Sequence, residues 1–252
     1  MVFSISSLKK FFSLCAIFLI WSFTACAEPV EVGLLEFPPS IRKDGNGKPV
    51  GTFVDNLKKI LKEANVDYEM NFYPVKRMIL YMMVGKLDLG IGRDKDSMPA
   101  MIGLRMLWTK NSITTIRTTL CSINGLPVRS IADVKGKKLL MKVQVLPDEI
   151  DEFLKNSDNR ITVDESRTFE SAVKKLLLGR GDYLIIPDLP LESILEKNPD
   201  LMLKAKNLGL VKKTINERPI HLLLNKSTPD ADALLARLDK AIVKLKADGI
   251  FK

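Results

Sequence analysis

Gly85-Lys86-Leu87-Asp88-Leu89-Gly90-Ile91 and Gly179-Arg180-Gly181-Asp182-Tyr183-Leu184-Ile185-Ile186 spell one unit twice. Each copy follows a stretch with helical apolar spacing, Met78–Val84 in the first and Ala172–Leu178 in the second. A glycine just past a helix takes the left-handed conformation that ends it, and the apolar run after each aspartate suits a buried parallel strand. Two such units in one chain predict two α/β lobes of similar plan, and proteins built that way place their ligand in the cleft between the lobes.

Outward from the first unit the pattern continues. Val30–Leu35 reads as a strand and Lys43–Pro49 as a turn cluster rich in Gly and Asn. Val54, Leu57, Ile60, Leu61 and Ala64 fall at helical spacing with lysines on the opposite face. Tyr68–Tyr73 alternates like a strand. Strand, helix, strand, helix, strand is the signature of a covered parallel sheet. The β-branched run Ile113–Cys121 predicts a strand leading out of the first lobe, and Lys138–Val143 the first strand of a second. Ile150–Leu154 reads as a helix, Arg160–Val163 as a strand, and Thr168 as the N-cap of the second unit's helix. Leu191–Glu196 begins another helix, and Ile220–Leu224 is a strand near a return crossing. Thr228-Pro229 is expected to open the last helix as N-cap and first-turn proline, and Gly249 to end it.

The first residues have the form of a secretory signal. Lys9 and Lys10 supply the positive region, Phe11–Trp21 the apolar core, and Ala25-Cys26-Ala27 a small-residue cleavage site before Glu28. The apolar stretch is shorter than the ~20 residues of a spanning helix. Residues 1–27 are therefore expected to be a signal peptide, and the mature protein soluble and periplasmic. Phe23-Thr24-Ala25-Cys26 also resembles a lipoprotein box that would acylate Cys26. Of the three cysteines only Cys121 lies beyond the signal, so no intramolecular disulfide is expected in the mature chain. One histidine and one free thiol make no zinc site, and no cofactor is expected. Net charge is +9, two units of which leave with Lys9 and Lys10. The lysines are scattered among Asp and Glu without interleaved aromatics, which argues for a solvated basic surface and against nucleic acid.

Val32-Gly33 followed by Phe37-Pro38-Pro39, Gly47–Phe53 with Asp55, Gly85–Asp88, Ser130–Lys138 and Gly179–Asp188 together resemble the extracellular solute-binding proteins of family 3, the polar amino-acid receptors of ABC importers. The resemblance spans nearly the whole mature chain. It implies the type II periplasmic binding protein-like α/β fold, with two lobes joined by two crossing strands and closing on a small ligand. On that plan residues 28–113 and 216–252 form lobe 1, and residues 114–215 form lobe 2. It further implies a monomer that delivers its ligand, an amino acid or related carboxylate, to a transporter permease.

The resemblance also implies site residues. An aromatic near the first strand packs on the ligand in such receptors, and Phe37 matches; an ordinary buried phenylalanine is the alternative. An arginine about a dozen residues past the first G-x-x-D aspartate clamps the ligand carboxylate with two parallel hydrogen bonds. Here that position falls at Met98-Pro99-Ala100, with no arginine. Arg93, at a strand end facing the cleft, is the leading substitute, Arg77 a second and Arg105 a third. Across the cleft Asp188 matches the carboxylate that receives an α-amino group, and an N-cap role is its alternative. The usual small-residue turn is replaced by Val143-Gln144-Val145-Leu146-Pro147, in which Gln144 is the ligand-bonding candidate.

Asp88 and Asp182 read as structural, His221 as packed in an apolar strand, and Met78, Met82 and Met83 as core. No serine or cysteine has a convincing base partner, so no catalytic residue is expected. Two other functions stay open. One is a dehydratase acting on a small cyclic acid, which needs a raised-pKa acid such as Glu36 or Asp188. The other is a sensor presenting its closed form to a membrane receptor.

Overall fold

A computed structural model describes residues 28–93, 95, 100–142, 146 and 148–251. The signal region and Gln144 lie outside the described residues. The strands are β1 (Val30–Leu34), β2 (Arg42–Lys43), β3 (Pro49–Val50), β4 (Tyr68–Phe72), β5 (Leu89–Arg93), β6 (Met106–Trp108), β7 (Thr114–Ser122), β8 (Lys138–Lys142), β9 (Thr162–Ser166), β10 (Tyr183–Pro187) and β11 (Val211–Asn225). The α-helices are α1 (Thr52–Glu63), α2 (Val75–Met83), α3 (Ala100–Arg105), α4 (Asp148–Lys155), α5 (Phe169–Leu177), α6 (Asp188–Lys197), α7 (Pro199–Asn207) and α8 (Ala231–Ala247).

One nine-stranded sheet runs β4-β1-β5-β11-β7-β10-β8-β9, with β6 added against β11. β1 is parallel to β4 and β5, and β8 is parallel to β9 and β10. Between these two parallel groups lie β7 and β11, antiparallel to each other and to β10 and β5 respectively. They are the crossing strands, and their register shifts between Thr214 and Asn216. Each parallel group is covered on both faces, as its apolar sequence requires. In the first lobe α1 and α8 pack on one face around Leu57, Leu89 and Leu238, while Met78, Met82, Leu87 and Ile102 fill the other. In the second, Leu184 and Ile186 face α5, α6 and α7, whereas Leu139, Met141, Tyr183 and Ile185 face α4.

The repeated unit has the same local chemistry in both lobes. Gly85 has φ 74° and Gly179 φ 66°. The next amide, of Lys86 or Arg180, bonds back to the carbonyl of Tyr81 or Lys175, closing each helix. Asp88 and Asp182 then grip the adjacent parallel strand twice. The Asp88 amide donates to the Glu31 carbonyl at 3.1 Å while its Oδ2 accepts the Glu31 amide at 3.0 Å. The Asp182 amide donates to the Lys138 carbonyl at 2.8 Å while its Oδ2 accepts the Lys138 amide at 2.8 Å. Two residues further along the gripped strands, at Gly33 and Leu140, the copies fill the same space from opposite sides. A Cβ on Gly33 would lie 2.7 Å from Leu87, and one on Gly181 would lie 2.6 Å from Leu140.

Several element boundaries differ from the sequence reading for identifiable reasons. The last helix begins at Ala231, behind Asp230 at φ 51°, because the Thr228 hydroxyl is spent on Asp88 Oδ1 at 2.8 Å instead of capping. β9 starts at Thr162, since Arg160 takes φ 50° to end a short 3-10 turn. Helix α7 was not anticipated. It opens with Pro199 in its first turn and buries Ala205 as its one fully covered position, too narrow an apolar stripe to stand out.

Removing one charged acceptor from a part-buried amide costs about 2 kcal/mol. Asp182→Ala is therefore expected to destabilise the protein by about that amount in urea unfolding. Asp88→Ala should cost more, because it also orphans the Thr228 hydroxyl.

Candidate functional site

The carboxyl ends of the parallel strands converge on one cavity of about 320 Å³ between the lobes. Leu35, Glu36 and Phe37 follow β1, Arg93 ends β5, Lys142 ends β8, and Pro187 ends β10. Open α/β sheets bind ligands at such strand ends, where side chains leave the sheet and loops diverge. Phe53 and Asn56 of α1, and Val75, Met78, Ile79 and Met82 of α2, close the first-lobe side. Gly90 permits this approach, since a Cβ there would lie 3.1–3.2 Å from the Met78 and Met82 side chains. Leu146, Phe169 and Leu189 close the second-lobe side, and Thr114, Thr115, Ile116, Thr118, Asn216, Arg218 and Ile220 of the crossing strands form the back.

Among the described residues, several contacts join the two sides of this cavity. The Phe37 and Phe169 rings stand edge to face with centroids 5.8 Å apart. The Arg93 Nη2 donates to the Leu146 carbonyl at 2.7 Å. The Lys142 Nζ donates to the Glu36 carbonyl at 3.3 Å and lies 4.6 Å from the Phe169 centroid. Burial holds the Lys142 pKa below its ordinary 10.5, with Glu36 opposing. Arg93 is fixed from behind as well, because the Trp108 indole N–H donates to its carbonyl at 2.9 Å. Arg218 pairs with Glu149, which also accepts from Asn216 Nδ2 at 2.9 Å, tying α4 to the crossing strand.

Of the residues singled out in the sequence, Phe37 and Arg93 line the cavity together. Phe37 also packs against the cores of both lobes, so it is a packed ring that forms part of the cleft wall. Arg77 does not line the cavity. It is exposed on α2 beside Met78, whose burial directs the neighbouring side chain outward. Arg105 is likewise exposed, at the end of α3. Asp188 sits between two lining residues, Pro187 and Leu189, but is not itself among them. Its carboxylate accepts the Thr119 hydroxyl of β7, and α6 takes Pro187 as its N-cap. Gln144 lies outside the described residues. Met78 and Met82 belong to the core and to the cavity wall at once.

Lys142, Phe169, Asn216 and Arg218 were missed. Lys142 and Phe169 had a usable signal, a polar residue closing an apolar strand and an aromatic directly after a helix cap. Asn216 and Arg218 had none, since their cleft position depends on the pairing of β7 with β11.

Among the described residues no group in the cavity is arranged for catalysis, and Asp188, whose pKa burial raises, does not line it. Burial pushes the Cys121 thiol up to about 12, so it stays protonated near neutral pH. His221 bonds the Thr109 carbonyl through Nδ1 at 2.8 Å within the sheet. Glu36, at the cavity edge, is half exposed and paired with Lys43 at 3.0 Å. Among the described residues no cluster of His, Cys, Asp or Glu is arranged to hold a metal, and no helix is long and apolar enough to cross a membrane.

No protein-family model matches the sequence, and no curated protein sequence matches it. Solved structures do. An ancestral arginine-binding protein bound to arginine aligns over 88% of this chain and 93% of its own, with TM-score 0.67 and 22% identity. A histidine kinase sensor domain with similarity to periplasmic binding proteins aligns over 89% and 92%, with TM-score 0.70 and 19% identity. The arginine-, lysine-, histidine-binding protein ArtJ from the thermophilic bacterium Geobacillus stearothermophilus aligns over 88% and 91%, with TM-score 0.66 and 20% identity. The fold is that of the periplasmic binding proteins. At these identities the likeness is one of architecture, two α/β lobes joined by crossing strands, and the cleft must be read from this chain's own residues.

Burial raises the Asp188 pKa above its ordinary 3.8, with Lys212 and Arg117 opposing. The folded state therefore holds this proton more tightly than the unfolded chain, and the carboxyl's contribution to stability falls as pH rises from 3.8 through the native value. Asp188→Asn is expected to remove that fall. The difference in Tm between variant and parent should grow in the variant's favour across this window and then level off.

Proposed function

We propose that this protein is a periplasmic solute-binding protein of the family 3 type, which captures a small ligand between its lobes and presents the closed form to an ABC importer. The observation that carries the reading is the convergence of Phe37, Arg93 and Lys142 from opposite lobes on one cavity. A ligand touching both lobes stabilises the closed state by its differential affinity, and a docking permease reads that state. Lobe 1 would comprise residues 28–113 and 216–252, and lobe 2 residues 114–215. The register shift at Thr214/Asn216 supports a hinge at the second boundary. Residues 1–27 would direct export, and the protein would act as a monomer without a cofactor. Among the cleft residues Phe37 would stack on the ligand and Arg93 would bond it.

Capture without chemistry distinguishes this reading from a dehydratase. Incubation with pooled amino acids, small carboxylates and amines, followed by native mass spectrometry, should give a one-to-one complex. The bound compound should be recovered unchanged. Turnover of a cyclic acid would sink the binding reading. Because Trp108 holds the Arg93 carbonyl, binding should also change tryptophan fluorescence, and Trp108→Phe should abolish the change. Arg93→Ala is expected to weaken binding by about tenfold or more, the worth of one charge-assisted hydrogen bond.

A further inference from the structure

The polarity of the cavity narrows the ligand. Its walls are aliphatic and aromatic, with Met78, Ile79 and Ile91 on one side and Phe169 on the other. Such walls favour a ligand whose body leaves water on binding. The charged side chains that line the cavity are mostly cationic, although Arg218 is already paired with Glu149. Arg93, Lys142 and Arg218 line the cavity, and among the described residues Glu36 is the one carboxylate that does.

Glu36 is already engaged by Lys43 at 3.0 Å, both side chains being about half exposed. Asp188, the sequence match for an ammonium partner, bonds Thr119 and does not line the cavity. A ligand ammonium brought in here would meet Glu36 alone among the described carboxylates of the lining, and only in competition with Lys43, so most of its lost hydration would go unreplaced, which is costly. A ligand carboxylate meets the opposite situation. Lys142 is half-buried and touches a carbonyl and a ring face, with no carboxylate in ion-pair range among the described residues. Glu36 acts on the Lys142 ammonium without pairing with it, so an arriving anion is its first direct ion-pair partner among the described residues, and the apolar surroundings strengthen that attraction.

We propose that the cleft binds an organic carboxylate with an apolar body and no ammonium group, its carboxylate on Lys142 and its single ring or short chain between Phe169 and the Met78–Ile79 face. The proposal rests on the capture reading and selects, within it, the carboxylate class. Its size follows from the cavity, about 320 Å³, at the lower end for small-molecule sites.

The test uses the purified full chain in a thermal-shift titration with matched probes: phenylacetate, hexanoate, phenylacetamide, phenethylamine, phenylalanine, arginine and glutamine. A ligand that binds the folded state raises Tm according to its concentration over Kd. Phenylacetate or hexanoate should raise Tm in a dose-dependent way, at least tenfold more tightly than phenylacetamide, phenethylamine or phenylalanine. Lys142→Met should weaken the carboxylate at least tenfold and Lys142→Arg should restore most of it. Ile79→Gln should weaken it without a change of charge, with circular dichroism and the unliganded Tm verifying that each variant folds. Shifts with arginine, glutamine or phenylalanine equal to or above those of the carboxylates would overturn the ligand class and leave the capture reading standing. No shift with any probe would overturn the ligand class, and no complex in the broader mass-spectrometric pool would then overturn capture as well.

Discussion

The grip of one aspartate on both polar groups of a neighbouring strand residue organises the molecule. In each lobe the chain leaves a helix through a left-handed glycine, advances two residues, and meets the next strand with an amide and a carboxylate directed at one partner, Glu31 or Lys138. A parallel pair has no hairpin to set its register, so something else must. Here the paired bonds do so at the strand's first residues. Everything downstream depends on that register. A slip of one residue in β1 or β8 would turn Val32 or Leu139 out of the core and move the strand ends that carry Phe37 and Lys142 into the cleft.

With register fixed at one end of each strand, the opposite ends become the place where function gathers. The residues that leave β1, β5, β8 and β10 are no longer committed to the sheet, and the crossing strands hold the two sets of ends face to face. Phe37 belongs to the packing of both lobes at once, so the aromatic contact with Phe169 couples their relative position to the shape of the cavity. The two backbone carbonyls that Arg93 and Lys142 reach across the gap, Leu146 and Glu36, make the same coupling polar. A ligand arriving there exchanges contacts with groups that already sense both lobes, which is the physical requirement for a bound state distinguishable from outside.

The parts legible from sequence were those written in local pattern. The Gly-x-x-Asp units, the amphipathic α1 and the apolar runs of β5 and β10 announce themselves through spacing, because helix ends and buried parallel strands have fixed residue requirements. Arg93 was legible for the same reason, as the first charge after an apolar strand. What was not legible depended on partners distant in the chain. Thr228 looks like an N-cap until Asp88, 140 residues earlier, claims its hydroxyl. Asp188 looks like a cleft carboxylate until Thr119 takes it. Arg218 enters the cavity only because a 15-residue strand, of which Ile220–Leu224 alone reads clearly, pairs along β7. Lys142 lay at the edge of legibility, since its strand was evident but its placement on the Phe169 ring was not.

The exchange of glycine and leucine between the two copies bears on the chain's ancestry. Gly33 yields its volume to Leu87, whereas Leu140 occupies the volume that Gly181 gives up. Each strand and its unit are thus matched like key and lock, with opposite cuts in the two lobes. If the lobes descend from one duplicated segment, at least two substitutions separate the pairs, and the ancestor or an intermediate carried either a crowded seam or a hollow one. The same mismatch bars recombination today. A hybrid placing the first unit beside β8 would set Leu87 against Leu140, and the reciprocal hybrid would leave two glycines facing an empty space. The resemblance between the halves is therefore one of plan, and each half is now a closed vocabulary that the other cannot read.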